Sequence, residues 1–270
     1  MSTICFATVF KRLAIKYKIL HRARGIKSYS IIKSRGNHME NKIVIPTGYM
    51  GSGSSAVTDL LSEVDGYSCT NGNFEYVFMH CPNGVFDLED KLLKGNNALR
   101  SDEALHTFYS CMKTLYANKH YWVANYKDRV GSDFMKWCEE FISSLIDERT
   151  KDVYWYYQEN PNAKIYIEKA LAKIIKLVTS GKVLPKPGLR YEEMWLSYTT
   201  PSEFYSSAKI LLDNFFLQMG ISNSNIILDQ FVLPHNLYRI ENYFEDNCKV
   251  IVVDRDPRDV FLLNKYYWRK

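Results

Sequence analysis

The stretch that most constrains the fold is KIVIPTGYMGSGSSAVTDLL, which runs from Lys42 to Leu61. Its apolar start is typical of a strand, and the run after Ser54 has the pattern of a helix. The loop between them, Gly48 to Ser55, matches the frame G-x-x-x-x-G-x-[ST] that cradles phosphate between a strand and a helix. Glycines let successive N–H groups turn towards an anion, and a helix N-terminus adds partial positive charge. The sequence therefore predicts an anion-binding loop, with a plain Gly/Ser turn as the alternative.

The loop lacks the lysine of nucleoside-triphosphate kinases. That position holds Ser54, and kinases use the lysine against the β- and γ-phosphates. Its absence argues against phosphoryl transfer from ATP. Two rival hypotheses stand beside this interpretation. One is a P-loop kinase of a small metabolite, which the missing lysine disfavours, and the other is a nucleotide-binding relic without activity.

A second charged segment, VIVVDRDPRDVF, follows an apolar run near the end of the sequence. Ligands of open α/β sheets bind beyond the carboxyl ends of strands, and Arg255 suits bidentate recognition of phosphate. Asp256 and Pro257 have the pattern of an N-cap and first helical position. Both interpretations are compatible, since Asp256 can cap a helix while Arg255 faces a ligand.

The remaining pattern favours an α/β fold. The apolar runs at 225–229 and 249–254 predict strands that are buried on both faces, as in a parallel sheet covered by helices. Residues 74–80 predict a further extended segment. The stretch of about 95–220 has mainly helical periodicity. We expect a P-loop-like, doubly wound parallel sheet with a large helical insertion.

Two helices in this middle region have clear ends. Thr200 and Glu203 form a capping-box pattern with Pro201 between them, so a helix should begin there and run to about Met219. The amphipathic run AKIYIEKALAKIIKLVTSG ends at Gly181, a typical residue just after a helix.

The two loop segments together resemble the sulfotransferases that use 3′-phosphoadenosine-5′-phosphosulfate (PAPS). MGSGSS aligns with that family's 5′-phosphosulfate loop, and RDPRD aligns with the motif that holds the 3′-phosphate. The resemblance covers roughly residues 42–80 and 225–265. It implies that PAPS is bound by Gly51, Ser52, Gly53, Ser54, Ser55, Arg255 and Asn264.

A third match concerns the general base. Heparan-type sulfotransferases carry E-x-x-F on their second strand, and this chain has Glu75 and Phe78 in that spacing. The resemblance implies that Glu75 takes the proton from an attacking hydroxyl; a surface carboxylate on an edge strand is the alternative. In the small-molecule branch a histidine at the end of the matching strand is the base, where this chain has Gln230. His235, after Asp229 in a loop, is therefore the second candidate.

The sequence departs from the family at two positions. The family's loop lysine aligns with Gly51, and its serine in the second motif aligns with Leu263, next to Asn264. A cation from elsewhere would then stabilise the leaving phosphate. The candidates are Lys127, Arg129, Lys182, Lys186 and Arg190.

The resemblance implies a sulfotransferase acting on a hydroxyl of a carbohydrate, such as a polysaccharide, without a metal. Family members usually continue beyond the second motif, so the resemblance also suggests that the chain is shortened at its C-terminus.

Charge and cysteine content bound the partners and the compartment. Nine lysines and arginines and no acidic residue lie in residues 1–38, which we interpret as a basic leader or an extension outside the fold. The other residues have a slight excess of acids, so nucleic-acid binding is not indicated. The six cysteines and six histidines show no metal-ligand spacing. Reduced cysteines and the absence of a long apolar stretch favour the cytoplasm and no membrane span.

Overall fold

The computed structural model describes residues 42–70, 74–121, 123–151, 153, 163–181, 190–222, 225–244 and 247–267. These residues form an α/β fold with a four-stranded parallel sheet, a separate antiparallel pair of strands and many helices. The predicted leader, residues 1–38, lies outside the described residues, as do Lys182 and Lys186.

The strands and helices alternate along the chain. The strands are β1 (Ile43–Gly48), β2 (Tyr67–Cys69), β3 (Glu148–Lys151), β4 (Glu193–Leu196), β5 (Asn225–Ile227) and β6 (Cys248–Val253). The helices are α1 (Ser54–Ser62), α2 (Val77–His80), α3 (Val85–Leu93), α4 (Ala98–Ala117), α5 (Tyr126–Arg129), α6 (Phe134–Leu145), α7 (Ala163–Val178), α8 (Pro201–Gln218), α9 (Ile240–Phe244) and α10 (Pro257–Tyr267). A 3₁₀ helix, Pro234–Arg239, precedes α9.

The parallel sheet has the strand order β2-β5-β1-β6. The register pairs Ile43 of β1 with Ile226 of β5 and with Cys248 of β6, and Gly48 lies opposite Val253. All six residues of β1 are buried, and the strand has a neighbour on each side. Since the strands are parallel, the segments that follow β1, β5 and β6 all leave the sheet at the carboxyl ends of its strands.

The prediction that the 249–254 strand is buried on both faces is wrong. Within the described chain, β6 pairs with β1 alone, and its Ile251 and Val252 are exposed. The helix that follows, α10, buries none of its side chains. The apolar run correctly predicted a strand, but burial depends on packing partners that lie elsewhere in the chain.

The prediction of an extended segment over 74–80 is also wrong. The second strand of the chain is β2, and residues 77–80 form the short helix α2. Local hydrogen bonds explain the difference: Met79 N–H donates to the carbonyl of Tyr76 and Cys81 N–H to that of Val77. Phe78 and Met79 are both buried, which an alternating strand would not allow.

The predicted helix ends are confirmed. Thr200 caps α8, and its backbone N–H bonds the Glu203 side chain in a complete capping box. After α7, Gly181 has a φ of 79° and its N–H reaches the carbonyl of Lys176. The stretch 95–220 is not purely helical, since β3 and β4 form an antiparallel pair within it.

An aromatic cluster joins the parallel sheet to the helical layer. The rings of Phe74 and Tyr76 lie 5.5 Å and 5.9 Å from that of Phe215 on α8, and Tyr76 lies 5.5 Å from Phe231 beyond β5. All four side chains are buried. Because the residues on both sides of Glu75 are held in this cluster, the position of Glu75 is fixed by packing.

The five cysteines in the described part of the chain are free thiols, and of these Cys138 is buried. No helix in this part of the chain combines the length and the apolar content needed to cross a membrane.

Candidate functional site

The loop after β1 has the backbone shape that its glycines predict. Gly51 and Gly53 adopt φ values of 85° and 99°, a region that residues with a Cβ rarely enter. The N–H of Ser52 donates to the carbonyl of Tyr49 at 2.9 Å and closes a tight turn. The loop therefore depends on glycine at both positions.

Gly48 is required for a different reason. A Cβ at this position would lie 2.7 Å from the carbonyl oxygen of Val253 and would also meet the Ser52 side chain. The end of β1 is thus in close contact with the end of β6 and with its own loop. Ser52 Oγ is buried without a hydrogen-bond partner among the described residues, so a donor hydroxyl lies within the loop.

Helix α1 begins directly at the loop. Its N-cap is Gly53, which has no side chain to accept hydrogen bonds from the N–H groups of the first turn. Those groups and the helix dipole together make this end of α1 suitable for an anion. Ser54 is buried, whereas Ser55 is exposed.

The residues after β5 contact the start of α1. Gln230 Nε2 donates to Ser54 Oγ at 3.1 Å, and Ser55 Oγ donates to Asp229 Oδ2 at 3.3 Å. Gln230 has a φ of 51°, and its N–H bonds the carbonyl of Pro46 on β1. The other carboxylate oxygen of Asp229, Oδ1, is buried without a partner in the described chain. Burial raises the pKa of Asp229, and hydrogen bonds from Thr58 and Ser55 oppose this.

Glu75 lies near this group. Burial raises the pKa of Glu75, the nearby Asp229 carboxylate raises it further, and the Arg129 guanidinium lowers it. Arg129 also lies over the Phe74 ring, 5.0 Å from its centroid, and Tyr126 Oη donates to the Glu75 carbonyl at 3.1 Å. Glu75 precedes helix α2 rather than lying on a strand, so the edge-strand alternative does not hold. Glu75 thus interacts electrostatically with Asp229 and Arg129, and Asp229 in turn accepts a hydrogen bond from Ser55 of the loop.

His235, the second candidate base, lies in a different environment. It is exposed in the 3₁₀ helix and contacts the Asn236 amide at 3.2 Å. It interacts electrostatically with His80 at the end of α2. Burial lowers the pKa of His80 to about 4, and His235 adds to this effect. The hydrogen bonds of Ser54 and Ser55 are to Gln230 and Asp229 rather than to His235.

The second motif follows β6 as predicted. Asp256 Oδ1 accepts from the N–H of Arg258 at 2.8 Å, which confirms Asp256 as the cap of α10. The Arg258 guanidinium pairs with the same carboxylate, whereas Arg255 is exposed and its N–H bonds Asp254. Asn264 and Leu263 on α10 face Gly51: a Cβ on Gly51 would lie 4.0 Å from Asn264 Nδ2 and 3.5 Å from Leu263 Cδ2.

Among the cations proposed from the sequence, Arg129 has a place beside Glu75. Arg190 lies over the Tyr191 ring at 5.5 Å, and Lys127 is exposed on α5. The sequence itself carries no signal that selects one of these cations. In the described residues, no group of three or more His, Cys, Asp or Glu is arranged to hold a metal ion.

Comparison of the chain with protein-family models, with curated proteins and with solved structures finds no match. The chemistry of the site therefore has to be inferred from its own residues.

Proposed function

We propose that this protein is a sulfotransferase that moves a sulfuryl group from PAPS to a hydroxyl of an acceptor such as a carbohydrate. The observation that carries the proposal is the register of β1 and β6. Because Gly48 lies opposite Val253, the two segments that resemble the PAPS motifs follow the carboxyl ends of adjacent strands and leave the sheet side by side. Two separate sequence motifs are thereby available to one ligand.

The first loop would hold the 5′-phosphosulfate. Its support is the left-handed backbone at Gly51 and Gly53 and the uncapped start of α1, which together direct N–H groups at an anion. The hydroxyl of Ser52, which has no hydrogen-bond partner among the described residues, adds a donor. In this proposal, Ser54 and Ser55 complete the loop.

The second segment would bind the 3′-phosphate. Arg255 is exposed at the end of β6, so its guanidinium is accessible to a ligand. Asn264 is close to Gly51, which would place an amide donor between the two phosphate groups. An amide can replace the family's serine hydroxyl as a hydrogen-bond donor.

Glu75 would act as general base. It would accept the proton of the acceptor hydroxyl while the oxygen forms a bond to sulfur and the bond from sulfur to the 5′-phosphate oxygen breaks. The raised pKa of Glu75 favours this role, since a stronger base accepts a proton more readily at neutral pH. Arg129 would balance charge near the base, and the N–H groups of the loop would stabilise the leaving phosphate.

One contact favours a second candidate, a Mg²⁺-dependent phosphotransferase. P-loop enzymes hold Mg²⁺ with the loop serine and an aspartate after a neighbouring strand. Ser55 and Asp229 have this relation, with their oxygens 3.3 Å apart. Asp229 Oδ1, which has no hydrogen-bond partner among the described residues, would be available to a metal-bound water. The Ser54 in place of lysine weighs against this candidate.

A thermal-shift comparison distinguishes the two candidates. We expect 3′-phosphoadenosine-5′-phosphate to raise the melting temperature and ATP with Mg²⁺ to have a much smaller effect. A ligand at about one hundred times its Kd stabilises the native state by about 2.7 kcal/mol. Stabilisation by ATP that requires Mg²⁺, with none from the bisphosphate, would replace the sulfotransferase proposal with the phosphotransferase.

The acceptor is tested separately, by sulfate transfer from labelled PAPS to a panel of glycans. Transfer to a glycan hydroxyl would support the carbohydrate part of the proposal. Bisphosphate binding without transfer to any acceptor would instead favour a nucleotide-binding relic.

A further inference from the structure

Helix α7 differs from the long helices α4, α6 and α8, each of which buries several apolar side chains, whereas α10 is exposed like α7. Helix α7 lies between β3 and β4 in the sequence, and its described side chains are exposed apart from that of Ala172. Its large apolar residues between Tyr166 and Val178 are 42 to 85 % exposed. The neighbouring helix α6, by contrast, buries Phe134, Phe141 and Leu145. A contiguous exposed apolar surface of this kind marks an interaction site.

The arrangement of side chains on α7 is amphipathic. At 3.6 residues per turn, the residues that share the apolar face span an arc of about 180°. They are Tyr166, Ile167, Ala170, Leu171, Ile174, Ile175, Leu177 and Val178. Lys169, Lys173 and Lys176 fall in a neighbouring arc of about 60°, and Tyr166 lies at the border between the two arcs.

The charge of α7 is opposite to that of the rest of the folded chain. The helix carries four lysines and one glutamate, whereas residues 39–270 as a whole have more acids than bases. Pairing of two copies through this face would bring two lysine-rich arcs close together. A partner with a negative surface and an apolar interior would attract the lysines and also bury the apolar face.

We propose that α7 binds in the plane of an anionic lipid bilayer. Its apolar face would enter the acyl boundary and its lysines would contact lipid phosphates. Tyr166 occupies the border position where amphipathic rings lie at the headgroup level. A lipid surface needs no specific shape from the helix, which fits a face built of mixed aliphatic side chains. This proposal does not depend on the proposed sulfotransferase activity.

The test is co-sedimentation of the full chain with vesicles. We expect binding to phosphatidylcholine vesicles that contain phosphatidylserine, little binding to phosphatidylcholine alone, and weaker binding at high salt. The double variant Lys173→Gln, Lys176→Gln should bind the anionic vesicles about thirtyfold more weakly. Ile174→Asp should abolish binding, because it places a charge in the apolar face.

The matched control is Lys119→Gln, Lys136→Gln, which removes two exposed lysines outside α7 and should leave vesicle binding unchanged. Melting temperatures of all variants should match the wild type, because the altered side chains are exposed. Absence of binding to anionic vesicles, or equal binding by the α7 double variant and the wild type, would overturn the proposal. So would a dimer in sedimentation velocity that Ile174→Asp dissociates, since a second copy would then cover the face.

Discussion

The two loops of the candidate site follow strands that differ in burial. The inner loop (Gly48–Ser55) continues from β1, whose six residues are all buried. The outer loop (Asp254–Asp256) continues from β6, whose side chains are partly or largely exposed, and leads into α10, which buries none of its own. The comparison indicates that residues around the inner loop contribute to folding and to any chemistry, whereas those of the outer loop contribute mainly to ligand binding.

Substitution of Glu75, which lies near the inner loop, should have the largest effect on sulfate transfer. With Glu75→Gln, sulfate transfer should fall by about 10²–10⁴-fold, because general-base catalysis is lost while the shape is kept. In the wild type, turnover should decrease as pH falls through the raised pKa of Glu75, since the protonated carboxyl cannot accept a proton. Initial rates across a pH series would measure this.

Nucleotide affinity is the control for that variant. Thermal shift with the bisphosphate should give the same result for wild type and Glu75→Gln. Near-normal turnover in the variant would remove Glu75 as the base and direct attention to His235.

Unfolding free energies test the difference between the two strands. Ile45 on β1 is 0 % exposed, and Ile45→Ala should reduce the free energy of unfolding by about 2–5 kcal/mol, because a cavity forms in the core. Val252 on β6 is 51 % exposed, and Val252→Ala should change it by less than about 0.5 kcal/mol. Urea denaturation would measure both, and equal losses would contradict the comparison.

Gly48→Ala links folding and binding at the inner loop. The new methyl group would collide with the Val253 carbonyl, so we expect a loss of about 1–3 kcal/mol in the free energy of unfolding. Bisphosphate binding should weaken as well, because the loop must shift. Gly66→Ala is a suitable control, since a Cβ there meets nothing within 4 Å and the residue lies away from the loop; its positive φ alone should lower stability without affecting binding.

The outer loop should show the smallest effect on folding. Arg255→Ala should weaken bisphosphate binding about ten- to a hundredfold through loss of a charge-assisted hydrogen bond, with the free energy of unfolding nearly unchanged. The effect on 5′-AMP, which lacks the 3′-phosphate, should be smaller. Titrations of both nucleotides would show this, with Arg258→Ala as the matched control. Equal weakening of the two nucleotides would contradict the assignment of Arg255.

The sequence was sufficient where the signal is local. The strand before Gly48, the helix start at Ser54, the capping box at Thr200 and the cap at Asp256 each depend on residues a few positions apart, and each was predicted correctly. Packing was not predictable to the same degree. The apolar residues of 249–254 give the same pattern whether a helix covers them or not, and the pattern of 74–80 suits a strand until local hydrogen bonds close a helical turn.

In the candidate site, too, local features were predictable from the sequence and long-range contacts were not. Glycine and serine spacing predicted the inner loop, but the contact of Ser55 with Asp229 and the place of Arg129 near Glu75 depend on segments far apart in the sequence. A single sequence carries no record of such contacts. The sequence shows Asp229 only as a residue at the end of a predicted strand, whereas its hydrogen bond with Ser55 at the start of α1 is visible only in the folded chain.

The exposed position of β6 has a consequence for the behaviour of the chain in concentrated solution. A strand at the edge of a sheet offers a row of backbone donors and acceptors to any other extended segment. The sequence CKVIVV is rich in β-branched residues, which favour such pairing, and it contains one charged side chain, Lys249. A charge in such a strand opposes edge-to-edge pairing, so Lys249 would protect the folded chain from aggregation rather than serve any ligand.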